Sequence, residues 1–309
     1  MRTFKKILRW TGILLLAIIL GVTAITAARQ NLRYNAPYPS IRSSHDSASI
    51  ARGKHLMLSV AHCTDCHSGP SSDSLINAGQ EPVLHGGVAF NLPVGTIYSA
   101  NITSDSTYGI GKYSDAEIAR ALRYGVHPDG TAVYDFMPFH NISDADLSDI
   151  ISYLRTQKPV ASQKPANELN LAGKLVKAFL VKPVGPSEPI ASAVVPDSTA
   201  AYGKYLVLNV GNCSGCHTKR SISGEYTGPL LAGGSPMAHG ITPPNLTPDS
   251  SGRLFGWSEE MFVKRFHMGK LNPLSEMPWG SFKRMNDIEL KAIYKYLQTV
   301  PPVRTTPVK

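Results

Sequence analysis

Every cysteine in this chain belongs to one of two copies of the same short motif. Two cysteines, separated by two residues and followed by a histidine, occur at 63–67, and the pattern returns at 213–217. A disulfide framework is typical of short, cysteine-dense secreted chains, whereas a chain of 309 residues with four cysteines can bury a core without one. The motif therefore indicates a different use for the thiols.

Two thiols about one helical turn apart can both bond to the vinyl groups at one edge of a porphyrin, while the next residue presents its imidazole to the iron. A zinc site made from the four thiols would leave the histidine after each pair unexplained. We therefore predict two covalently attached haem c groups, with zinc as the alternative. The predicted covalent attachments are Cys63, Cys66, Cys213 and Cys216, and the predicted iron ligands are His67 and His217.

The first 33 residues predict the compartment. Residues 10–28 contain no charged side chain, and four basic residues precede them. This length suits a bilayer-spanning helix, and the basic flank predicts a cytoplasmic N-terminus. We predict a single-pass anchor in the inner membrane, with the haem-bearing residues on the periplasmic side. The small residues Thr26 and Ala28 leave a cleaved signal peptide and a periplasmic protein as the alternative.

The net charge of +9 does not indicate a nucleic-acid partner. Six of the 31 Lys and Arg residues lie in the first 33 residues, which contain no acidic residue. The rest of the chain has 25 basic and 22 acidic side chains, so most of the excess positive charge belongs to the membrane-topology signal. We expect no nucleic acid among the partners.

The motif lies within a longer internal repeat. Residues 51–67 align with residues 201–217, and the alignment continues to the last helix of each copy. We predict two homologous haem domains, at 45–160 and 198–309, joined by a linker at 161–197. The linker is rich in Pro, Ala and Ser, and its one apolar stretch is predicted to form a helix.

Each copy is predicted to close with an amphipathic helix. Ser114 with Glu117, and Asn286 with Glu289, have the spacing of an N-cap and the third helical residue. Apolar residues at i, i+3, i+4 and i+7 mark the closing helices: Leu147, Ile150, Ile151 and Leu154 in the first copy, and Leu290, Ile293, Tyr294 and Leu297 in the second.

A sixth iron ligand would distinguish an electron carrier from an enzyme. The alignment places a methionine followed by proline at Met137 and Met277. A thioether favours ferrous iron, and proline stiffens the strand that presents it, so we predict both methionines as ligands. Packing in the core is the alternative role for a methionine. Four histidines are substitutes that lack an equivalent in the other copy: His127, His140, His239 and His267.

Further residues are predicted to orient the histidines and to bind the haem propionates. A backbone carbonyl usually accepts the ring N–H of a ligating histidine, and Pro82 and Pro229 are the matched candidates, with Pro70 as a competitor. Short polar or ring donors recur at equivalent positions and are predicted as propionate partners: Asn101, Thr103, Asn245, Thr247, Tyr113 and Trp257.

These segments resemble a known family. "NITSD", "YGIGKYSDAEIARALRYGVHPDG" and "FMPFHNISDADLSDIISYLRTQKPV" look like a haem domain of the cytochrome c subunits of membrane-bound bacterial alcohol, gluconate and sugar dehydrogenases. The resemblance implies an all-α fold after the N-terminal transmembrane helix, made of two tandem class I cytochrome c domains with His/Met ligation. That family commonly has three haem domains, whereas this sequence has two. The second copy also lacks the "GVHPDG" loop, and its own segment there is four residues shorter.

Two function classes follow from these observations. The first, which the two Met-Pro pairs favour, is an electron-transfer subunit without a substrate of its own. It would accept electrons from a periplasmic or membrane dehydrogenase and pass them to quinone, an oxidase or another cytochrome. The second is a two-haem peroxidase, which would need one iron without a permanent methionine. A gas or redox sensor is a third, less favoured class.

Overall fold

The computed structural model describes residues 2–69, 72–221, 224–237 and 240–306, and this part of the chain is rich in helix. The helices are α1 (Arg2–Arg29), α2 (Ser47–Leu58), α3 (Cys63–His67), α4 (Ser72–Asn77), α5 (Asp115–Tyr124), α6 (Asp144–Thr156), α7 (Leu171–Phe179), α8 (Ala200–Tyr205), α9 (Cys213–His217), α10 (Glu259–His267), α11 (Trp279–Phe282) and α12 (Asp287–Thr299). A π-helical turn, Leu206–Val210, continues α8. The strands are β1 (Ala89–Leu92), β2 (Gly95–Tyr98) and β3 (Glu168–Leu169).

The closing helices are α6 and α12, and they form as the sequence predicts. The predicted apolar positions of α6 are all buried, and those of α12 are buried except Tyr294, which is half-buried. The predicted caps are also confirmed. Ser114 with Glu117 at α5, and Asn286 with Glu289 at α12, each form a complete capping box that satisfies backbone N–H groups at the helix start. Local sequence therefore sets both helix starts.

In each repeat, the first helix lies directly on the backbone of the closing helix. A Cβ atom on Gly53 of α2 would lie 1.8 Å from the Asp149 carbonyl oxygen, and one on Gly203 of α8 would lie 1.9 Å from the Ala292 oxygen. No side chain fits in that space, so only glycine permits this crossing. The two repeats thus share one packing geometry at equivalent positions.

The prediction of an all-α chain is wrong in one region. β1, β2 and β3 form a small antiparallel sheet in the order β1-β2-β3, with Phe90 opposite Ile97 and Thr96 opposite Glu168. β1 and β2 lie between Gly87 and Asn101. This segment is three residues longer than its counterpart between Gly234 and Asn245 of the second repeat. The β-branched and aromatic residues there favour a hairpin.

The predicted linker helix, α7, lies against the end of α1. Arg29 Nε donates to the Ala178 carbonyl oxygen at 3.0 Å, and Gln30 Nε2 donates to the Lys174 carbonyl oxygen at 2.8 Å. Among the described residues, α1 is the one helix that is long and apolar enough to cross a membrane, with a mean hydropathy of 2.3 over its most apolar window. Almost all of its side chains are exposed.

The two repeats contact each other through equivalent residues of α2 and α8. Arg52 aligns with Tyr202, and Arg52 Nη2 donates to the Tyr202 hydroxyl at 3.1 Å. Arg52 also forms salt bridges with Asp146 at 3.1 Å and Glu289 at 3.4 Å. These two acids are equivalent as well, because each is the third residue of its closing helix. One guanidinium therefore lies between two buried carboxylates, one from each repeat.

A second equivalent pair, His55 and Tyr205, lies one turn further along the same helices. His55 Nε2 lies 2.9 Å from both carboxylate oxygens of Glu289. The Tyr205 hydroxyl donates to Asp146 Oδ2 at 2.7 Å. Each residue thus contacts the acid of the opposite repeat, and this reciprocal arrangement fixes the first repeat against the second.

Candidate haem sites

Two short helices, α3 and α9, present the cysteine motifs. The residues before them, His62 and Asn212, have positive φ values of 39° and 48° and are equivalent in the repeat. Residues other than glycine seldom occupy this left-handed region, although Asn and His are enriched there. The left-handed residue ends the preceding segment and turns the chain sharply into the helix that carries the two thiols.

Both motif histidines are buried and held by a backbone carbonyl. His67 Nδ1 lies 2.7 Å from the Ala100 oxygen, and His217 Nδ1 lies 2.8 Å from the Pro244 oxygen. A carbonyl oxygen can only accept, so Nδ1 carries the hydrogen and the lone pair remains on Nε2. Burial lowers the pKa of both rings, although the hydrogen bond to the carbonyl opposes this effect. The lowered pKa favours the neutral imidazole, which is the form that binds a metal ion.

The carbonyls that accept these ring hydrogens are not the predicted ones. Ala100 and Pro244 occupy equivalent positions, whereas Pro82 and Pro229 were the candidates. The Pro229 carbonyl instead accepts the N–H of Ala232 within a turn. Pro82 and Pro229 as haem contacts remain a prediction, and Pro70 lies outside the described residues.

Loop pairing explains why residues 100 and 244 take this role. Leu84 O accepts the N–H of Ile102 at 3.0 Å, and Leu231 O accepts the N–H of Leu246 at 2.8 Å. Each pairing draws the Asn-x-Thr segment alongside the loop that follows the histidine. The residue just before the asparagine then lies beneath the imidazole.

The cysteines are thiols in this environment. Burial raises the pKa of Cys63 and Cys213 to about 12 and that of Cys66 to about 11, and it also raises the pKa of Cys216. By solvent exposure, Cys216 is exposed and the other three cysteines are half-buried. No group of three or more His, Cys, Asp or Glu side chains comes together as a metal site within the described ranges.

In the first repeat, most of the predicted haem residues line one cavity of about 690 Å³, whereas Pro82 and Thr103 do not line it. Cys63, Cys66, His67, Met137 and Tyr113 all contribute to its wall. This volume lies within the ~300–1,000 Å³ range of small-molecule sites. The wall carries two thiols and an imidazole, the groups that attach and ligate a c-type haem, together with a thioether that can serve as a further iron ligand. The residues present therefore fit haem c.

Each Met-Pro pair forms the same tight turn. The Met137 carbonyl accepts the N–H of Phe139 at 2.9 Å, and the Met277 carbonyl accepts the N–H of Trp279 at 2.7 Å. Pro278, with φ −73° and ψ 60°, has the dihedral angles of an inverse γ-turn. Both methionines are half-buried against the core. Iron coordination by these residues remains a prediction.

The alternative histidine ligands differ in their availability. Both ring nitrogens of His140 and of His267 lie within hydrogen-bond distance of a carbonyl and a carboxylate oxygen. His127 lines the cavity of the first repeat, and burial lowers its pKa. His239 lies outside the described residues.

Four of the predicted propionate partners form hydrogen bonds with other residues of the protein. Thr103 donates its N–H and its hydroxyl to Asn101 Oδ1, and Thr247 does the same to Asn245. Asn101 Nδ2 then donates to the carbonyls of residues 160 and 162, and Asn245 Nδ2 donates to the Val303 carbonyl and the Thr305 hydroxyl. These pairs fasten the segment after each closing helix.

These hydrogen bonds give the four residues a structural role, and their predicted contact with propionates remains a prediction. All four are buried and take their partners from the protein itself, although Asn101 also lines the cavity. Tyr113 and Trp257 differ, because neither the Tyr113 hydroxyl nor the Trp257 ring N–H makes a hydrogen bond to another described residue. These two residues also remain predicted propionate partners.

Sequence analysis did not identify how close the two candidate sites are to each other. Asn212, directly before Cys213, lines the cavity of the first repeat, as does Val210. His62, its equivalent in the first repeat, packs edge-on against Phe282 of the second, with ring centroids 5.5 Å apart. The residues before both motifs therefore lie at the contact between the repeats. Their equivalence was visible in the sequence, but their contacts were not.

No protein-family model matches the chain. The chain is similar to the fructose dehydrogenase cytochrome subunit of Gluconobacter japonicus, with 29% identity over 296 residues that cover 90% of this chain and 58% of that protein. It is similar to the alcohol dehydrogenase (quinone) cytochrome c subunit of Gluconacetobacter polyoxogenes, with 31% identity over 283 residues, 84% of this chain and 57% of that protein. It is also similar to a diheme cytochrome c-type protein of Cereibacter sphaeroides, with 26% identity over 272 residues, 83% of this chain and 88% of that protein.

These relatives confirm the resemblance to cytochrome c subunits of dehydrogenases that the sequence segments predict. The chain spans less than two thirds of the length of the two dehydrogenase subunits. It spans most of the length of the diheme protein, in keeping with a sequence that has two motifs.

Proposed function

We propose that this protein is a membrane-tethered dihaem cytochrome c that relays electrons between a dehydrogenase and the respiratory chain. Residues 45–160 and 198–309 would be two tandem class I cytochrome c domains, each holding one covalently attached haem. The observation that carries this proposal is the equivalence of the two sites. Each has a cysteine pair, a buried neutral histidine held by a carbonyl, and a methionine in a proline turn.

The residues at each site suit electron transfer without substrate chemistry. When bound, haem iron takes up and releases one electron. His67 and His217 are fixed in one tautomer by their carbonyl partners, so each Nε2 is oriented before any ligand binds. Met137 and Met277 would occupy the sixth positions and favour the reduced state. With both positions taken, no site would remain for peroxide.

The contact between the repeats supports a relay within one molecule. Arg52 joins carboxylates from both repeats, and His55 and Tyr205 add the reciprocal contacts. Asn212 of the second repeat lines the cavity of the first. A fixed arrangement of two adjacent sites would hold them at one separation during electron transfer.

The relatives and the N-terminal helix support the partners and the location. Two relatives are cytochrome subunits of a fructose and a quinone-type alcohol dehydrogenase, which supports a dehydrogenase as electron donor here. The acceptor would be quinone, an oxidase or another cytochrome. Retention of α1 as an inner-membrane anchor would place both haem domains at the periplasmic surface, and a cleaved α1 would give a periplasmic protein.

Peroxide and carbon monoxide test this function against the peroxidase alternative. The reduced protein should reoxidise slowly with hydrogen peroxide and without turnover, and carbon monoxide should bind neither ferrous haem. A dehydrogenase encoded beside this protein, given its substrate, should reduce both haems. Fast peroxide turnover by the isolated protein would favour the peroxidase and contradict the relay.

A further inference from the structure

A second cavity, which is basic, lies beside α7. Its volume is about 440 Å³, and three lysines, Lys164, Lys174 and Lys177, line it together with Gln30 and other residues. Such a concentration of ammonium groups favours a ligand with negative charge, such as a phosphate.

The acidic residue in the wall of this cavity does not neutralise it. Glu168 accepts a hydrogen bond from the Tyr98 hydroxyl at 3.2 Å and supplies one negative charge against three lysines. The cavity therefore keeps an excess of positive charge. Lys164 lines the neighbouring haem cavity as well, so the basic cavity and the first candidate site share a wall.

Next to the basic cavity, α7 and its C-cap residue expose large apolar side chains. Leu171 is 74% exposed, Leu180 is 49% exposed and Phe179 is 39% exposed. An amphipathic helix with lysines on one side and large apolar side chains on the other is typical of segments that lie in the plane of a membrane interface.

α7 also lies close to the end of the charge-free stretch of α1. The charge-free stretch of α1 ends at Ala28, and the next two side chains, those of Arg29 and Gln30, donate to carbonyls of α7. The guanidinium of Arg29 also lies over the ring of Phe179, 5.2 Å from its centroid. α7 is therefore attached at the point where the chain would leave the bilayer.

We propose that α7 lies in the headgroup region of the membrane and that the basic cavity binds the phosphate of an anionic phospholipid. The exposed side chains of Leu171, Phe179 and Leu180 then contact acyl chains. This inference rests on the proposed retention of α1 as an anchor. It adds a second contact with the membrane, and this contact sets the orientation of the first haem site relative to the bilayer.

Hydrogen exchange of the full-length protein in lipid nanodiscs tests the proposal. Amides of residues 171–181 should exchange about tenfold more slowly in discs that contain phosphatidylglycerol than in discs of phosphatidylcholine alone, because lysines near an anionic surface bind it favourably. The double substitution Lys174→Glu and Lys177→Glu should abolish that difference. The matched control Lys204→Glu, on an exposed position of α8, should preserve it.

A separate variant tests the proposed contact of Leu171 with acyl chains. Leu171→Asn should speed exchange of the same amides in both kinds of disc, whereas Leu271→Asn, at a comparably exposed leucine of the second repeat, should not. Inorganic phosphate added to phosphatidylcholine discs should not reproduce the protection, because free phosphate lacks the acyl chains.

The outcomes separate this inference from the proposed anchor. A protein that enters the discs but exchanges equally in both lipids overturns the anionic-lipid site and leaves the anchor intact. Equal protection by free phosphate also overturns the lipid site. A protein that fails to enter discs removes the anchor, and the membrane contact of α7 is overturned with it.

Discussion

The two repeats place different side chains at equivalent positions around their closing helices. At the contact between repeats, the first supplies Arg52 where the second supplies Tyr202. At the start of the closing helix, Arg123 of the first repeat pairs with Asp144, and His267, its equivalent, pairs with Asp287 at 2.9 Å. The first repeat thus uses a permanent cation where the second uses a phenol or a titratable imidazole.

The haem sites and the residues that pair with carboxylates of the closing helices are therefore under separate physical constraints. The proposed haem ligation requires cysteines, a histidine and a methionine at equivalent positions, and these residues recur in both repeats. A supporting pair only has to satisfy a carboxylate, and guanidinium, imidazole and hydroxyl groups can all donate to one. The two repeats should therefore resemble each other in spectroscopy and differ in how stability depends on charge and pH.

The largest expected effect concerns the methionines, where the two repeats should behave alike. Met137→Ala and Met277→Ala should each abolish the methionine-to-ferric-iron charge-transfer band of one haem and lower its reduction potential, because the thioether favours the ferrous state. Absorption spectra and redox titration measure both quantities. Met261→Ala, at an exposed methionine, is the control. An unchanged spectrum in either variant would remove that methionine from its site.

The next effect concerns the guanidinium between the repeats. Asp146 and Tyr202 outweigh burial and raise the pKa of Arg52, which stays charged. Arg52→Ala leaves two buried carboxylates without their shared cation and should lower the free energy of unfolding by about 3 kcal/mol. Denaturant titration measures the loss. Lys204→Ala, on the exposed side of α8, should change it little, and an Arg52→Ala protein as stable as the unmodified one would contradict the shared-cation account.

A smaller effect is expected one helical turn away. Tyr205→Phe removes the hydroxyl that donates to Asp146 and should cost about 1–2 kcal/mol, since the buried acid loses one donor but keeps Arg52. His55→Phe should cost a similar amount through Glu289. Denaturant titration compares both variants with Tyr34→Phe. A loss in one variant alone would show that the two contacts are not reciprocal.

The smallest expected effect is a pH dependence of stability that comes from the second repeat. A hydrogen bond with Asp287 raises the pKa of His267, although burial opposes this. A raised folded-state pKa means that the stabilisation is fully present below the unfolded value of about 6.5 and is lost as pH rises through the folded pKa. The pair is exposed, so the loss should be at most about 0.5 kcal/mol.

His267→Arg should make the second repeat resemble the first and remove this pH dependence. Stability measured from pH 5 to pH 9 in the two proteins gives the comparison. An identical pH profile in both would show that the Asp287 pair does not contribute.

Short-range patterns in the sequence predicted the parts of the molecule that local chemistry determines. The capping boxes at Ser114 and Asn286 and the buried faces of α6 and α12 depend on residues within one or two turns of each other. The linker helix α7 followed from an apolar stretch in the same way. The cysteine motifs predicted their own short helices, because their spacing is itself helical.

The remaining features depend on contacts between segments that are distant in the sequence. The acceptors at Ala100 and Pro244 require the loop pairing that no local pattern records. The role of Asn101 depends on a segment 59 residues later, and the contact between Arg52 and Tyr202 spans 150 residues. Periodicity describes one helix face at a time, so it cannot indicate which faces meet.

The mass of the denatured protein tests the central claim most directly. Two complete cysteine motifs should give a chain that keeps two haem masses after unfolding. The paired substitution Cys63→Ser and Cys66→Ser should leave one, and so should the pair Cys213→Ser and Cys216→Ser. A denatured chain without added haem, or one that binds zinc through the four thiols instead, would contradict the account.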